Sequence, residues 1–455
     1  MRLTTPRVRR KRSVVMTNLF STPQRAVVAL TLLILGLAQS YAEDSSLRAG
    51  VARVNLTPPL EMKAALGGYG ARMSKPAVGV HDAIWAKALV LAQDDRKFAL
   101  VTADVLAFPP GFKAAVMERL ATNGWNANQV LLLASHSHTS IDMMALHPGN
   151  VFGIPQVGLF HKALFERTAE QLAEVIREAS KDLATISTAS ATSSVPDRNR
   201  NRRHAGDIHD TDLTVTRIDT AAGKPLAVLV NWTAHPTFMD AEDMWFSGGW
   251  PGHLQRSMEA LIGEGVTVMF YNGAEGDQSP VPPEDCPSHW ERAERYGREM
   301  GIIAWRAWEK IRPVPGGVLE YHTQTIVLPK RQPHPDFMKT GGAEYGLNEA
   351  RMGEFLERLV PPQTHSTCLR LGDLLILGVP GEMAAQLGLE AKSRVRQTTG
   401  VHCVAIGGLA DEWISYMLPA AEYRKGGYEA SMSFYGETLA STVLDGVVQG
   451  TRVIK

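Results

Sequence analysis

Cysteine is scarce in this chain of 455 residues: only Cys286, Cys368 and Cys403 occur, and they are widely spaced. They form no CxxC pair, so the sequence predicts neither a cysteine-rich zinc site nor a disulfide scaffold. One disulfide can form in an oxidising compartment, which would leave one thiol free.

An excess of charge of one sign is lacking as well, because 47 Lys and Arg residues balance 47 Asp and Glu residues. The overall charge therefore gives no reason to expect a nucleic-acid partner. After the N-terminal region, no apolar run approaches the roughly 20 residues of a membrane-spanning helix. Hydrophobic residues make up 44% of the chain, which is ample for a large buried core.

Residues 1–42 are predicted to be a secretory signal peptide. Basic residues between Arg7 and Arg12 precede an apolar stretch, Ala26 to Leu37, and Ser40-Tyr41-Ala42 has the small residues of a cleavage site. The alternative is an N-terminal membrane anchor, but the apolar stretch is shorter than a spanning helix requires. We therefore expect a secreted or periplasmic protein after cleavage near Ala42.

Short apolar runs alternate with segments of helical periodicity in the remainder of the chain, residues 43–455. Strands are predicted at 98–105, 129–135, 226–232, 266–271 and 374–379. Helices are predicted at 111–123, 159–180 and 252–261. This alternation predicts one layered α/β domain built around a mixed sheet.

Several polar clusters follow these strands directly, which is where open α/β sheets place ligand sites. His136 and His138 follow the second strand, and in extended backbone both imidazoles would lie on one face and meet one metal or one substrate. His235 follows the third strand and Glu382 the fifth. Imidazoles together with one carboxylate are the ligand set of catalytic zinc, although each residue alone is compatible with a structural role.

Three further clusters have both a functional and a structural interpretation. Ser279, in the glycine-rich segment 273–280, is either a nucleophile or hydrogen-bond donor, or part of a turn. It lacks the G-x-S-x-G spacing of a nucleophile elbow. The arginines of residues 197–203 form either a solvated loop or a clamp for an anion. The tyrosines between residues 416 and 428 either pack in the core or serve the site.

In their order along the chain, these clusters resemble the neutral (non-lysosomal) ceramidase family, over nearly the whole chain after residue 42. The motifs that carry the resemblance are residues 49–58 (AGVARVNLTP), Gly67-Gly68-Tyr69-Gly70, Ser135-His136-Ser137-His138, His235, Gly276-Asp277-Gln278-Ser279-Pro280, Pro380-Gly381-Glu382 and the segment from Tyr416 to Gly436. The resemblance implies the layered mixed-sheet catalytic domain of that family. We expect the family's C-terminal β-sandwich domain to be absent, because the chain ends at Lys455.

The resemblance also implies the composition of the site. One zinc ion per chain would be bound by four ligands: His136, His235, Glu382 and Tyr416. Catalytic roles would fall to His138, to Tyr428 and to an arginine that follows an asparagine. Arg202 is the preferred arginine, and Arg200 is the alternative register. Ser279 matches the serine of the family's Gly-Asp-x-Ser-Pro segment.

Such a set suits the hydrolysis of an amide. Zinc polarises a carbonyl group and lowers the pKa of water. His138 would transfer protons, while Tyr428 and Arg202 would donate hydrogen bonds to the developing oxyanion. We prefer water to Ser279 as the nucleophile, because no activating base for the serine can be assigned from the sequence.

The predicted function is therefore zinc-dependent hydrolysis of the N-acyl amide bond of ceramide or a related N-acyl lipid. A small-molecule or lipid amide is the expected partner. Peripheral contact with a membrane is compatible with such a substrate, and no obligate protein partner is inferred. The alternatives are an ester or small-amide hydrolase on the same core, and a non-catalytic lipid- or metal-binding homologue.

Overall fold

Two packed β-sheets covered by helices form the framework of the computed structural model, which describes residues 46–204 and 206–454. The predicted signal peptide, residues 1–42, lies outside the described residues. From Leu47 onwards the chain forms one compact unit. No helix in the described ranges is long and apolar enough to cross a membrane.

The strands and helices follow one another along the whole described chain. The strands are β1 (Arg48–Asn55), β2 (Gly79–Val80), β3 (Trp85–Gln93), β4 (Arg96–Ala103), β5 (Val130–Ala134), β6 (Ala184–Ser194), β7 (Asn199–Asn201), β8 (Asp212–Thr220), β9 (Pro225–Trp232), β10 (Trp245–Phe246), β11 (Thr267–Asn272), β12 (Gln278–Pro280), β13 (Val314–Pro315), β14 (Leu319–Val327), β15 (Gln363–Leu371), β16 (Leu374–Gly378), β17 (Glu382–Met383), β18 (Cys403–Gly407) and β19 (Tyr416–Met417). The α-helices are α1 (Phe112–Leu120), α2 (Lys162–Ala179), α3 (Gly249–Ile262), α4 (His289–Lys310), α5 (Gly341–Glu344), α6 (Glu349–Leu359), α7 (Ala385–Thr399), α8 (Ala420–Arg424), α9 (Tyr428–Ser431) and α10 (Leu439–Gly450).

The larger sheet is mixed and has the strand order β11-β9-β8-β6-β1-β3-β4-β5, with β13 added beside β6. The pairs β4–β5 and β9–β11 are parallel, and the other neighbours are antiparallel. The smaller sheet has the order β14-β15-β16-β18. Two-residue and three-residue strands form the short pairs β2–β10, β7–β12 and β17–β19.

The alternation of side chains in the strands explains the layers. On β3 to β5, one set of residues, including Leu89, Leu100 and Leu131, packs against Leu369 and Ile376 of the smaller sheet. The opposite set packs against α1 and α2. The outer face of the smaller sheet is covered by α7 and α10. Because both faces of these strands are buried, their sequences are continuous apolar runs, which is the pattern that predicts them.

The predicted elements are present with small shifts at their ends. The helix predicted at 252–261 begins earlier, at Gly249, and contains Pro251 in its first turn. Proline is tolerated there because backbone N–H groups in the first turn of a helix have no intrahelical acceptor, so the N–H that proline lacks is not missed. The helix predicted at 111–123 ends as α1 at Leu120, and a short 3-10 turn leads to Gly124, whose φ is +68°.

The curvature of the larger sheet decides where the polar clusters meet. Neighbouring strands of a sheet are typically rotated by about 20–25° relative to one another, and six steps separate β9 from β5. The carboxyl ends of β5, β9 and β11 come together in this twisted sheet. Asn272, at the end of β11, donates through Nδ2 to the carbonyl oxygen of Ala234 after β9 (3.0 Å) and to that of Ser135 after β5 (3.4 Å).

Candidate metal centre and active site

Three imidazoles and one carboxylate converge where these strand ends meet. The Nε2 atom of His136 lies 3.2 Å from the Nε2 atoms of both His235 and His138. Oε2 of Glu382 lies 3.1 Å from Nε2 of His235 and 3.5 Å from Nε2 of His136. All four side chains are buried. The structure therefore brings together the two histidine clusters and the glutamate that the sequence places on separate strands.

Backbone carbonyls fix the proton on two of these rings. Nδ1 of His136 donates to the carbonyl oxygen of Leu106 (2.7 Å), and Nδ1 of His235 donates to that of Glu275 (2.8 Å). Each neutral ring then carries a lone pair on Nε2. Two lone pairs and a carboxylate oxygen face one another, and Oε2 of Glu382 has no hydrogen-bond donor. Such a set of acceptors lacks a positive charge at its centre.

A proton is a poor source of that charge, because burial disfavours the imidazolium form. Burial lowers the pKa of His136, and it lowers the pKa of His235 to about 4. Burial alone would raise the pKa of Glu382, but its interactions with the neighbouring His136, His235 and Tyr416 outweigh burial and lower this pKa to about 2. Neutral imidazoles beside an ionised carboxylate fit a divalent metal ion.

His138 differs from the other two histidines. The possible ligand atoms of His136, His138 and His235 all lie within 4.8 Å of one another, so geometry alone makes any of them a candidate ligand. Ligand histidines are, however, usually held by a hydrogen bond to the second ring nitrogen. Nδ1 of His138 is buried without such a partner, and the ring packs edge-on against Tyr69 at a centroid distance of 5.1 Å. His138 thus differs from His136 and His235, whose second ring nitrogens are each held by a backbone carbonyl.

The reason for the convergence of His136 and His138 is not the extended backbone that the sequence suggested. His136 has a φ of +66°, which lies in the left-handed region, and β5 ends at Ala134. The extended-strand argument is therefore wrong, although the two rings do meet. A left-handed non-glycine residue is strained by roughly 1–3 kcal/mol and persists only where the surroundings impose it. Here the backbone N–H of His136 donates to the carbonyl oxygen of Val105 (3.1 Å).

Glu382 and Tyr416 are adjacent because β17 and β19 pair in parallel with these two residues in register. Gly381 precedes Glu382 with a φ of +140°, and a Cβ atom there would lie 2.5 Å from the carbonyl oxygen of Ser415. Only glycine allows this close approach of two backbones. The side chain of Trp413 donates through Nε1 to Oε1 of Glu382 (2.7 Å), which leaves Oε2 directed at the histidines.

Arg202, and not Arg200, lies at the site. Its Nη2 donates to the hydroxyl oxygen of Tyr416 (3.2 Å), and its Nε donates to Oε1 of Glu429 (2.8 Å). Arg200 lies on β7, is exposed, and pairs with Ser279 of β12. Burial and the charge of Glu382 raise the pKa of Tyr416 well above its usual value, whereas Arg202 opposes the rise. The guanidinium therefore partly offsets the effects that keep the Tyr416 hydroxyl group protonated.

A cavity of about 120 Å³ opens from these residues. Its polar lining includes His136, His138, Glu382, Tyr416 and Tyr428, and none of its described lining residues is Lys or Arg. The rest of the lining is mostly apolar and includes Leu106, Phe337, Leu347, Phe355, Met432 and Phe434. Such a lining suits an apolar chain beside a polar centre. Ser279 is not among the described residues that line the cavity.

Several residues of this site were not identified from the sequence. Trp413 and Glu429 hold Glu382 and Arg202, and Tyr345 places its hydroxyl group 3.3 Å from that of Tyr428. Tyr69 belongs to the motif Gly67-Gly68-Tyr69-Gly70, but its contact with His138 depends on the fold. Tyr345 belongs to no motif, and it reaches the cavity from the segment between α5 and α6, far from Tyr428 in sequence.

Comparisons with known proteins agree with this architecture. The family model described as neutral/alkaline non-lysosomal ceramidase, N-terminal, matches residues 47–287, which is more than half of the chain. The chain therefore belongs to the neutral/alkaline non-lysosomal ceramidase family. No curated protein sequence matches it.

Two solved structures share the fold at low sequence identity. The crystal structure of neutral ceramidase from Pseudomonas aeruginosa aligns with a TM-score of 0.77 and 19% identity, over 90% of this chain and 75% of that chain. A ceramidase complexed with C2 aligns with a TM-score of 0.78 and 17% identity, over the same shares. These similarities confirm the predicted layered mixed-sheet fold of the ceramidase type.

Proposed function

We propose that this protein hydrolyses the N-acyl amide bond of ceramide or a related N-acyl lipid, using one zinc ion and water as the nucleophile. One observation carries the proposal: the unprotonated Nε2 atoms of His136 and His235 and Oε2 of Glu382 face one another within 3.1–3.5 Å at the base of an apolar cavity. Membership of the ceramidase family supports an amide as the bond that is cleaved.

The ion would be held by His136, His235, Glu382 and Tyr416. Two imidazoles and a carboxylate form a common ligand set for catalytic zinc. When bound, zinc would polarise the scissile carbonyl group and lower the pKa of water. Arg202 would stabilise the negative charge on the oxygen of Tyr416, since its Nη2 already contacts that oxygen.

The remaining polar residues would handle protons and the oxyanion. Burial lowers the pKa of His138 well below its usual value, so the ring is neutral at neutral pH and is able to accept a proton from the attacking water. It would then return a proton to the nitrogen of the leaving amine. Burial raises the pKa of Tyr428, so its hydroxyl group stays protonated and is able to donate to the oxyanion.

Ser279 is less suited to be the nucleophile. It lies on β12 opposite the exposed Arg200, and it does not line the cavity. Its hydroxyl group has no hydrogen bond to His138 that would activate it among the described contacts. These observations support water as the nucleophile.

We also propose that the protein is exported, on the basis of the signal-peptide pattern in residues 1–42. N-terminal sequencing of the protein purified from its native host would test this, with cleavage near Ala42 as the expected result. A mature N-terminus at the initiating methionine would contradict export by this route.

Metal content and turnover together test the main proposal. We expect about one zinc ion per wild-type chain by elemental analysis and none in the His136→Ala/His235→Ala double variant. His402→Ala, which changes an exposed histidine, is the matched control and should keep its zinc. Release of fatty acid from ceramides and simpler amides should occur with the wild type and not with the double variant. Turnover of esters alone would favour an esterase, and zinc without any turnover would favour a binding protein.

A further inference from the structure

A second carboxylate lines the cavity and has no part in the mechanism described above. Asp142 is 7% exposed and belongs to the cavity wall. Its Oδ1 accepts a hydrogen bond from the backbone N–H of Met144 (3.0 Å) and caps the short 3-10 helix Met143–Leu146. Its Oδ2 has no hydrogen-bond donor among the described residues.

The position of Asp142 relative to the reacting centre follows from two glycines. A Cβ atom on Gly67 would lie 3.0 Å from the Cα atom of Asp142, and a Cβ atom on Gly68 would lie 2.4 Å from Nδ1 of His138. Adjacent Cα atoms are about 3.8 Å apart. Asp142 and His138 therefore flank the same glycine pair and are neighbours in the cavity wall.

The space beside Oδ2 is kept open by a third glycine. Gly158 also lines the cavity and has a φ of +118°, and a Cβ atom there would lie 2.6 Å from Oδ2 of Asp142. Any other residue at this position would crowd the free oxygen. Glycine at position 158 thus brings its backbone close to the carboxylate without a side chain that would cover Oδ2.

Among the described residues, no lysine or arginine forms an ion pair with this carboxylate. Arg72 lowers the pKa of Asp142 electrostatically, but its guanidinium group already donates to five backbone carbonyls, including those of Gly67 and His138. Burial accordingly raises the pKa of Asp142 to about 7. A helix cap needs only one acceptor oxygen, which Asn or Ser supplies without a buried charge. A buried aspartate is thus a less stable helix cap than Asn or Ser would be. A ligand that donates a hydrogen bond to Oδ2 explains why an acid is present.

We propose that Asp142 is a specificity-determining residue that accepts a hydrogen bond from a hydroxyl or ammonium group on the amine part of the substrate. The inference rests on the proposed amide hydrolysis and narrows its substrates to N-acyl amides whose amine part carries such a donor close to the scissile nitrogen. The acyl chain would occupy the apolar part of the cavity around Phe337, Phe355 and Phe434.

Three amides with one acyl chain test the proposal: the dodecanoyl amides of ethanolamine, ethylenediamine and ethylamine. They place a hydroxyl group, an ammonium group or no donor at the same position. The kinetic constants are measured for each amide that is cleaved, and calorimetric binding to the holoenzyme is measured for each amide that is not. Wild type should prefer the two donor-bearing amides by roughly 10- to 100-fold, the effect of one hydrogen bond to a charged group.

Asp142→Asn is the informative variant, because the amide oxygen still caps Met144 while the charge is removed. In this variant the kinetic or binding constants of the donor-bearing amides should lie within roughly fivefold of those of the ethylamine amide. The ethylenediamine amide should show the largest change, because it loses an ion pair. If the substitution weakens only the ethanolamine amide, the substrate group that donates to Asp142 is a hydroxyl. Asp373→Asn is the matched control: this exposed aspartate accepts a hydrogen bond from the backbone N–H of Ser190, outside the cavity.

The outcomes separate this inference from the proposed function. In one outcome, wild type binds the donor-bearing amides more tightly, this preference is lost in Asp142→Asn, and yet none of the amides is cleaved. That result would support the role of Asp142 and contradict only the proposed hydrolysis. Equal kinetic or binding constants for the three amides in wild type would overturn the inference, as would an unchanged preference in Asp142→Asn. Asp142 would then be a helix cap and nothing more.

Discussion

The Nε2 atoms of His136 and His235 lie 3.2 Å apart, and the other nitrogen of each ring donates to a backbone carbonyl. Neither ring is able to donate to the other, so two lone pairs face each other beside the carboxylate of Glu382. A bound metal ion would relieve this repulsion, with His136, His235 and Glu382 as its ligands. Several features of the protein's behaviour should depend on that relationship.

Metal removal should lower the stability of the folded state. An ion that binds only the native state stabilises it by about 4 kcal/mol at a thousand times its dissociation constant. We therefore expect a chelator to lower the melting temperature by several degrees and added zinc to restore it, measured by differential scanning calorimetry. The His136→Ala variant should melt at one temperature with or without the chelator. A wild-type melting temperature indifferent to chelator and zinc would contradict the proposed metal centre.

Substitution of His138 should separate proton transfer from metal binding. We expect His138→Gln to lower kcat by roughly 10²- to 10⁴-fold, the usual contribution of a general acid–base group. Its zinc content should equal that of wild type, because Nδ1 of His138 has no hydrogen bond of the kind that orients a ligand. Loss of stoichiometric zinc in this variant would instead make His138 a third histidine ligand.

Ser279→Ala should retain activity within roughly tenfold of wild type, because Ser279 does not line the cavity. Steady-state kinetics on the best amide substrate provide the measurement. Removal of a true nucleophile costs on the order of a million-fold. A loss of that size, with zinc still bound, would show that the serine and not water attacks the amide.

Arg72 should act as a positioning residue for the loops around the site. Its guanidinium group donates to the carbonyl oxygens of His138 and Gly67 and, at 2.8 Å, to that of Asp240. A lysine cannot span these acceptors with one ammonium group. We expect Arg72→Lys to lower kcat/KM by roughly 10- to 100-fold while its zinc content is unchanged. Millimolar guanidinium should partly restore Arg72→Ala, and a failure of rescue in a folded, zinc-loaded variant would argue against this role.

Glu412 should make stability depend on pH. Burial, with a contribution from Asp411, raises its pKa to about 7, and the hydroxyl group of Thr364 donates to its Oε1 (2.6 Å). The folded state then holds a proton that the unfolded state releases near pH 4.5. The stabilisation is present below pH 4.5 and is lost as the pH rises to about 7, by up to roughly 3 kcal/mol. Urea unfolding of wild type and Glu412→Gln between pH 5 and pH 8 measures this, and parallel pH profiles would exclude the effect.

Much of the fold was predictable because the buried strands leave a local signature. The runs that became β4, β5, β9, β11 and β16 are continuous and apolar, since both faces of these strands are covered. The ends of helices were less predictable. Pro251 is a helix breaker in most positions, and only its place in the first turn of α3 makes it compatible with a helix.

The sequence by itself determined which residue types follow the strands: His136 and His138 after β5, His235 after β9 and Glu382 after β16. It also carried the family resemblance, because the order of short motifs is a property of the chain. Only the tertiary structure decided that these residues meet, because β5 and β9 lie six steps apart in the twisted larger sheet and no local pattern records their approach. The same holds for the tautomers of His136 and His235, for the contact of Arg202 with Tyr416, and for the free oxygen of Asp142. Each depends on a backbone carbonyl, a side chain or an open space supplied by a distant part of the chain.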